Sequence, residues 1–218
     1  MKKLLIVAIA ILFVAGFSAT AKAFSLVPGG LISPFSSGSF TLPSGATLLA
    51  FINQVPVSGQ DAYNNVVFSG TLSEKVYSVP NVGMLFEYTF SNTGPGKPGD
   101  TIGHLSVGGY TGFTTDVDAN GLGVSPFGPG LTPSSIDRSG SGDVLDFNFL
   151  AGVPVGFSSD TLWIQTNAPS YTFNSTQLQD GGNSQTPTYG PATPEPATML
   201  MFGMGALGLV GLRKRKVA

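Results

Sequence analysis

The apolar residues between positions 24 and 193 fall into short runs that alternate with polar ones, and no stretch carries the three-and-four spacing of an amphipathic helix. In MLFEYTF, Met84, Phe86, Tyr88 and Phe90 share one face while Leu85, Glu87 and Thr89 share the other. In DVLDFNFL, Leu145, Phe147 and Phe149 alternate with Val144, Asp146 and Asn148. TLWIQTN and YTFNS repeat the habit, and strands are also predicted over 46–52, 65–72, 75–79 and 102–107. Between them lie breaker clusters such as SNTGPGKPGD, ANGLGVSPFGPGLTPSS and IDRSGSG. About eight strands with turns at this spacing predict an all-β fold, an antiparallel β-sandwich or jelly roll, as a single domain over 24–177. LQDGGNSQTPTYGPA, residues 178–192, reads as a flexible linker between that domain and the C-terminal segment.

The two ends are of another kind. The start, MKKLLIVAIAILFVAGFSATAKA, has a basic opening at Lys2 and Lys3, an apolar run over 4–17, and small residues at Ala21 and Ala23. Those are the three parts of a secretory signal peptide, residues 1–23, with cleavage expected after Ala23. An uncleaved anchor is the alternative. At the other end, TPEPATMLMFGMGALGLVGLRKRKVA places Pro194, Glu195 and Pro196 before an uncharged stretch over 197–212, and closes on Arg213, Lys214, Arg215 and Lys216. As a helix those 16 uncharged residues would be about 24 Å long, short of a hydrocarbon core of about 30 Å, and the terminal cations can snorkel across the difference. Positive charge at both extremities holds both on the cytoplasmic side, so the body is expected to be translocated. Pro194 and Pro196 lack backbone donors and disfavour helix before them, which suits an extended segment open to a protease cleft.

This tail resembles the PEP-CTERM sorting signal of biofilm-forming, mostly Gram-negative bacteria. The resemblance covers 193–218 and has its parts in order: Thr193 ahead of the triplet, the triplet Pro194, Glu195 and Pro196, a Gly-rich span with Gly203, Gly205, Gly208 and Gly211, and the basic end as stop-transfer tail. It implies processing by an exosortase, a membrane-embedded cysteine protease-like enzyme. It also implies a membrane-anchored intermediate held by the C-terminal helix, and later association with exopolysaccharide or the outer envelope. The β-rich body is similar to those of other PEP-CTERM proteins, a similarity that attaches no activity to it.

Charge sharpens what the body can do. Residues 24–193 hold eleven acids against Lys75, Lys97 and Arg138, a formal −8, which repels phosphate backbones and argues against nucleic acid. The chain has no cysteine, which removes thiolate metal sites, cysteine nucleophiles and disulfides. His104 is the one histidine, set in TIGHLSVGG, and no G-x-S-x-G elbow accompanies it, so a structural or surface role is expected. Paired carboxylates for glycoside hydrolysis could come from Glu74, Glu87, Asp143, Asp146 or Asp160, although each alternates with apolar residues or lies in a turn, the pattern of a solvated face.

Asp116, Asp118, Asn120 and Gly121 match the first half of a D-x-D-x-N-G calcium loop. Position 12 is Phe127 instead of Glu, and the run reads as an Asx-rich turn, with calcium binding left open. Asn174, Ser175 and Thr176 form an accidental glycosylation sequon. Trp163, Tyr110 and Tyr171 could form an aromatic platform for sugar rings, against burial in the sheet.

No catalytic residue, metal site or cofactor is predicted. The leading expectation is a non-enzymatic surface or matrix protein. The alternatives are a secreted carbohydrate-binding module and a secreted hydrolase using carboxylates.

Overall fold

Fourteen β-strands and no helix make up the described part of the computed structural model, which covers residues 23–36, 38, 40–94, 100–120, 124–125 and 128–193. The strands are β1 (Phe24–Ser25), β2 (Leu31–Ile32), β3 (Thr47–Gln60), β4 (Val66–Val79), β5 (Gly83–Gly94), β6 (Thr101–Val107), β7 (Thr115–Asn120), β8 (Val124–Ser125), β9 (Gly128–Pro129), β10 (Ser135–Arg138), β11 (Leu145–Pro154), β12 (Thr161–Thr166), β13 (Tyr171–Gln179) and β14 (Asn183–Pro191). The signal peptide up to Ala21, the triplet Pro194, Glu195 and Pro196, the expected membrane helix and the cations Arg213 to Lys216 lie outside the described residues. Among the described residues no helix is long and apolar enough to cross a membrane.

Twelve strands form one antiparallel sheet in the order β1-β7-β12-β5-β4-β3-β14-β13-β6-β11-β10-β2, and β8 pairs with β9 apart from it. The sheet curls into two facing leaves. β3 and β14 meet through one residue pair, Gln60 with Asn183, so the strands from β1 to β3 form a first leaf and those from β14 to β2 a second. On the other side β1 and β2 end the sheet, and residues 26–30 join them directly. This is the expected β-sandwich, closed by its own strand order.

The alternation along each strand decides which side chains meet inside. Phe86, Tyr88 and Phe90 on β5, with Phe68, Leu72 and Val76 on β4, face Leu105 and Val107 on β6 and Leu145, Phe147 and Phe149 on β11. Burying side chains of this size stabilises by roughly 1.5–3 kcal/mol each. A second, smaller cluster lies on the outer surface of the first leaf, where Phe40 packs on Trp163 at 4.9 Å together with Tyr77, Val79 and Leu85. The segment carrying Phe40 is strapped down by backbone and side-chain bonds. Gly38 N donates to Ala119 O at 2.9 Å and to Asp118 Oδ1 at 3.1 Å, and Asn120 Nδ2 donates to Phe40 O at 2.7 Å.

Two sequence expectations are corrected. Residues 178–192 are not a flexible linker: 183–191 form β14, paired with β13 from Tyr171–Pro191 to Gln179–Asn183. The inward positions of β14 are Ser184, Thr186 and Thr188, all buried, so polar composition concealed a core-facing strand. The Asp116–Asn120 run is neither a calcium loop nor an Asx turn but strand β7, between β12 and β1. Successive same-face side chains on a strand stand almost 7 Å apart, so Asp116, Asp118 and Asn120 do not converge on one point. No group of three or more possible metal ligands forms among the described residues.

Candidate functional site

The register aligns polar side chains in two rows across the outer surface of the second leaf. One row runs Gln185, Gln177, Ser106, Asp146, Asp137 over β14, β13, β6, β11 and β10. The next runs Asn183, Gln179, His104, Asn148, Ser135 over the same five strands. With strands about 4.8 Å apart, each row is about 19 Å long, and the rows lie about 7 Å from each other. The inward neighbours, Leu105, Phe147 and Leu178, anchor these strands in the core, so the polar side chains must point out.

The rows are bonded to each other. His104 Nδ1 and Asn148 Oδ1 lie 2.6 Å apart, and Asn148 Nδ2 donates to Asp137 Oδ1 at 2.6 Å. Ser106 Oγ donates to Asp146 Oδ1 in a short contact. Partial burial pushes the Asp146 carboxyl above its usual range; the Ser106 bond opposes this, neighbouring Asp137 adds to it, and His104 opposes it. Ser106 therefore hands its proton toward a carboxylate while His104 is engaged by an amide, an arrangement with no imidazole poised to activate a hydroxyl. At the far end of the rows a cleft of about 620 Å³ opens between the leaves, lined by Gln60, Asp61, His104, Gln179, Asp180 and Asn183. Beyond the near row the same face turns aromatic. Phe173 and Tyr189 sit opposite each other with ring centroids 5.3 Å apart, and Tyr171 meets Tyr189 edge-on at 5.3 Å.

The other residues singled out in the sequence do not assemble into a site. Trp163 is under Phe40, and Tyr110 is in the core against Phe86 at 6.1 Å, so neither joins Tyr171 in a platform. Asn174 Nδ2 donates to Gly108 O at 2.7 Å. Of the five candidate acids, Glu74 and Asp160 are buried, contrary to a solvated face. Asp160 Oδ2 accepts from Thr132 Oγ1 at 2.6 Å, and desolvation pushes its pKa up against that bond. Glu87 pairs with Lys75 at 2.7 Å, and Asp143 caps the turn at Gly109 N and Thr111 Oγ1, 3.1 Å from each. Sequence reasoning missed the row structure because each row draws one residue from each of five strands. It also missed the pairing of Phe173 with Tyr189, since that pairing needed β14.

The chain leaves this domain beside the aromatic end. Pro191 pairs with Tyr171, Ala192 N donates to Ser170 O at 3.0 Å, and Thr193 directly precedes the Pro-Glu-Pro triplet.

Comparison with known families matches residues 192–216 to the PEP-CTERM protein-sorting motif. No curated protein and no solved structure matches the chain. The chain is thus a PEP-CTERM motif-containing protein, and that motif marks an exported protein that an exosortase processes after its C-terminus has anchored it in the membrane.

Proposed function

We propose that this is a non-enzymatic surface or extracellular-matrix protein whose folded domain, once an exosortase has released it from its tail, lies along exopolysaccharide through the outer face of the second leaf. The observation that carries the reading is the pair of five-residue polar rows, flanked along β13 and β14 by the exposed Phe173 and the half-buried Tyr171 and Tyr189. Amides donate and accept, and carboxylates and the serine hydroxyl accept, so the face offers both halves of the hydrogen bond that each sugar hydroxyl requires. Aromatic faces complement the flat apolar side of sugar rings. A surface about 19 Å across spans several sugar units of a chain, which suits a polymer better than a monosaccharide. The non-enzymatic part is supported by the way Glu74, Glu87, Asp143, Asp146 and Asp160 are each tied to a structural partner.

The test is retention of the processed protein, collected from the culture medium, on the matrix polysaccharide of its own host. Wild type is expected to be retained, and the double change Gln177→Ala, Gln185→Ala to weaken retention by about tenfold, on the scale of one to two lost hydrogen bonds. Equal retention of the two proteins, or none for wild type on any matrix glycan, refutes the assignment. For the sorting step, Glu195→Ala is expected to leave a larger, membrane-retained form. Finding Arg213 to Ala218 still attached to the mature wild-type protein by mass spectrometry rules out processing of the tail.

A further inference from the structure

The folded domain has two unlike ends. At the end opposite the tail exit, the turns carry Asp61, Asp100 and Asp180, with Asp180 Oδ2 accepting from Thr101 N at 3.0 Å. At the exit end, four turns are held together by short contacts. A Cβ on Gly83 would lie 2.3 Å from Thr166 O and 2.8 Å from Ala168 O, Thr114 N donates to Asn167 Oδ1 at 2.9 Å, and Gly45 approaches Pro80. Residues 41–53, 77–84, 110–115, 166–173 and 187–193, which make up this end, contain no charged side chain. In a body of formal charge −8 that gap is large. The Lys75–Glu87 pair, Asp116 and Asp143 border it, and the buried Arg138 guanidinium reaches in from below to Tyr110 O, Phe113 O and Thr115 Oγ1.

The same end exposes apolar side chains: Phe173 is 80% exposed, Leu48 48%, Leu49 44% and Val82 41%. Large apolar groups are exposed elsewhere too, Leu150 at 93% and Tyr63 at 85%, but at the exit end they stand together on segments without a charged side chain, a combination that marks a surface covered in use.

The chain's own continuation identifies the cover. The uncharged stretch over 197–212 begins six residues after Pro191, so even a fully extended connection spans at most about 21 Å. The interfacial layer outside a hydrocarbon core is itself about 5–8 Å deep. With 178–192 folded into the β13–β14 hairpin, the tether can lift the exit end at most about 13–16 Å above that layer, so this end is the part of the domain held nearest the bilayer.

We propose that, while the tail is anchored, the exit end of the domain seats on the lipid surface, with Phe173, Tyr171 and Tyr189 at headgroup depth and Leu48, Leu49 and Val82 around them. Amphipathic aromatics favour that layer. An uncharged end loses little on approach to an anionic leaflet, whereas the opposite end, with its three aspartates, would be repelled. The inference rests on the reading of the tail as a membrane anchor.

The absence of cysteine makes the test direct. Single-cysteine forms of the full chain after signal removal, Val82→Cys at the exit end and Ala62→Cys at the opposite end, are labelled with an environment-sensitive dye. They are then reconstituted into vesicles of phosphatidylethanolamine and phosphatidylglycerol doped with a nitroxide on the headgroup, a contact-range quencher. The dye at 82 is expected to be quenched at least twofold more than the dye at 62, and adding Leu49→Ser with Phe173→Ser to abolish the difference without loss of the β circular-dichroism signal. Flotation separates the two possible failures. A chain that does not float with vesicles overturns the anchor reading and the seat with it; a chain that floats with both dyes equally unquenched overturns the seat alone. A response at 82 that appears with soluble dextran and not with vesicles overturns a lipid occupant in favour of a glycan one.

Discussion

Replacing Glu74 by Gln should remove most of the pH dependence of this domain's stability above pH 6. Glu74 occupies an inward position of β4, between Leu72 and Val76, and is 1% exposed. It is there because, among the described residues, β14 pairs with β3 only at Asn183, which leaves the rest of that side without a strand. Tyr189 N donates to Glu74 Oε2 at 2.8 Å, and Tyr189 O accepts from Tyr88 Oη at 3.2 Å, so two core side chains satisfy the backbone groups of an edge strand. Burial pushes the Glu74 pKa from 4.5 up to about 8, with the Tyr189 and Tyr88 bonds opposing it. The folded protein therefore keeps a proton that the unfolded chain releases. Stability is full below about pH 4.5, falls as pH rises toward 8, and levels off above that.

At 1.36 kcal/mol per pKa unit, the whole loss is about 5 kcal/mol, of which about 3 kcal/mol falls between pH 5.5 and 8.5. Gln keeps an acceptor for Tyr189 N–H and cannot ionise. Urea unfolding of both proteins across that range, followed by Trp163 emission, should give a wild-type curve that slopes down by about 3 kcal/mol relative to the variant. Subtracting the two curves cancels the other upward-shifted carboxyls, Asp118, Asp146 and Asp160. Parallel curves would refute the idea that Glu74 is buried in its neutral form.

Arg138 is 3% exposed and bonds neutral acceptors throughout: Nε and Nη2 to Gly142 O, Nη1 to Leu26 O and Thr115 Oγ1, and Nη2 to Tyr110 O and Phe113 O. Lys cannot reproduce this planar fork, so Arg138→Lys should cost at least about 3 kcal/mol and lower Tm by about 10 °C in a calorimetric scan. Phe40→Ala should uncover the chain's one tryptophan, shifting Trp163 emission to the red at a cost of about 3 kcal/mol. Gly38→Ala should do the same by a different route, since its new Cβ would sit 2.2 Å from Asp118 Oδ2 and lift the strap. An unshifted emission maximum in both variants would mean that the strap does not shield the indole.

The parts of the fold that were legible are those in which one leaf face is apolar and the other is wet. β5 and β11 alternate cleanly because Phe86, Tyr88, Phe90, Phe147 and Phe149 all face the inter-leaf core. β7 was illegible because both of its faces are covered. Val117 and Ala119 face inward, and the outward Asp118 and Asn120 serve as hydrogen-bonding partners for the strap instead of meeting water. β14 was illegible for the opposite reason, a core face built from hydroxyls: Thr188 bonds Thr176 at 2.9 Å, and a local pattern of Ser and Thr carries no hydrophobic period. Glu74 did leave a trace, as the acid at the inward phase of a run that reads Phe68, Gly70, Leu72, Glu74, Val76. At the candidate site, His104 and Asp146 could be placed on strands from the sequence. That they stand in adjacent rows depends on the β6–β11 register, which a sequence read one strand at a time does not contain.

The two leaves solve the problem of an outward sheet face differently, and this decides where a ligand can bind. On the first leaf the outward positions of the central strands are apolar at Tyr77, Leu85 and Trp163, and the strap held at Gly38 and Phe40 covers them, with Ala46 packed beside it. On the second leaf the corresponding positions are amides, hydroxyls, His104 and two aspartates, which need no cover because water satisfies what their mutual bonds leave open. An unstrapped polar face can exchange water for sugar hydroxyls at little cost, whereas binding on the first leaf would first have to displace Phe40 from Trp163. The open face also runs along the molecule, from the aromatics beside the tail exit to the cleft at the acidic end. If the face binds glycan and the exit end seats on lipid as proposed, release from the tail would free its aromatic end without altering a single strand pairing, so such a site would be complete before processing and fully accessible only after it.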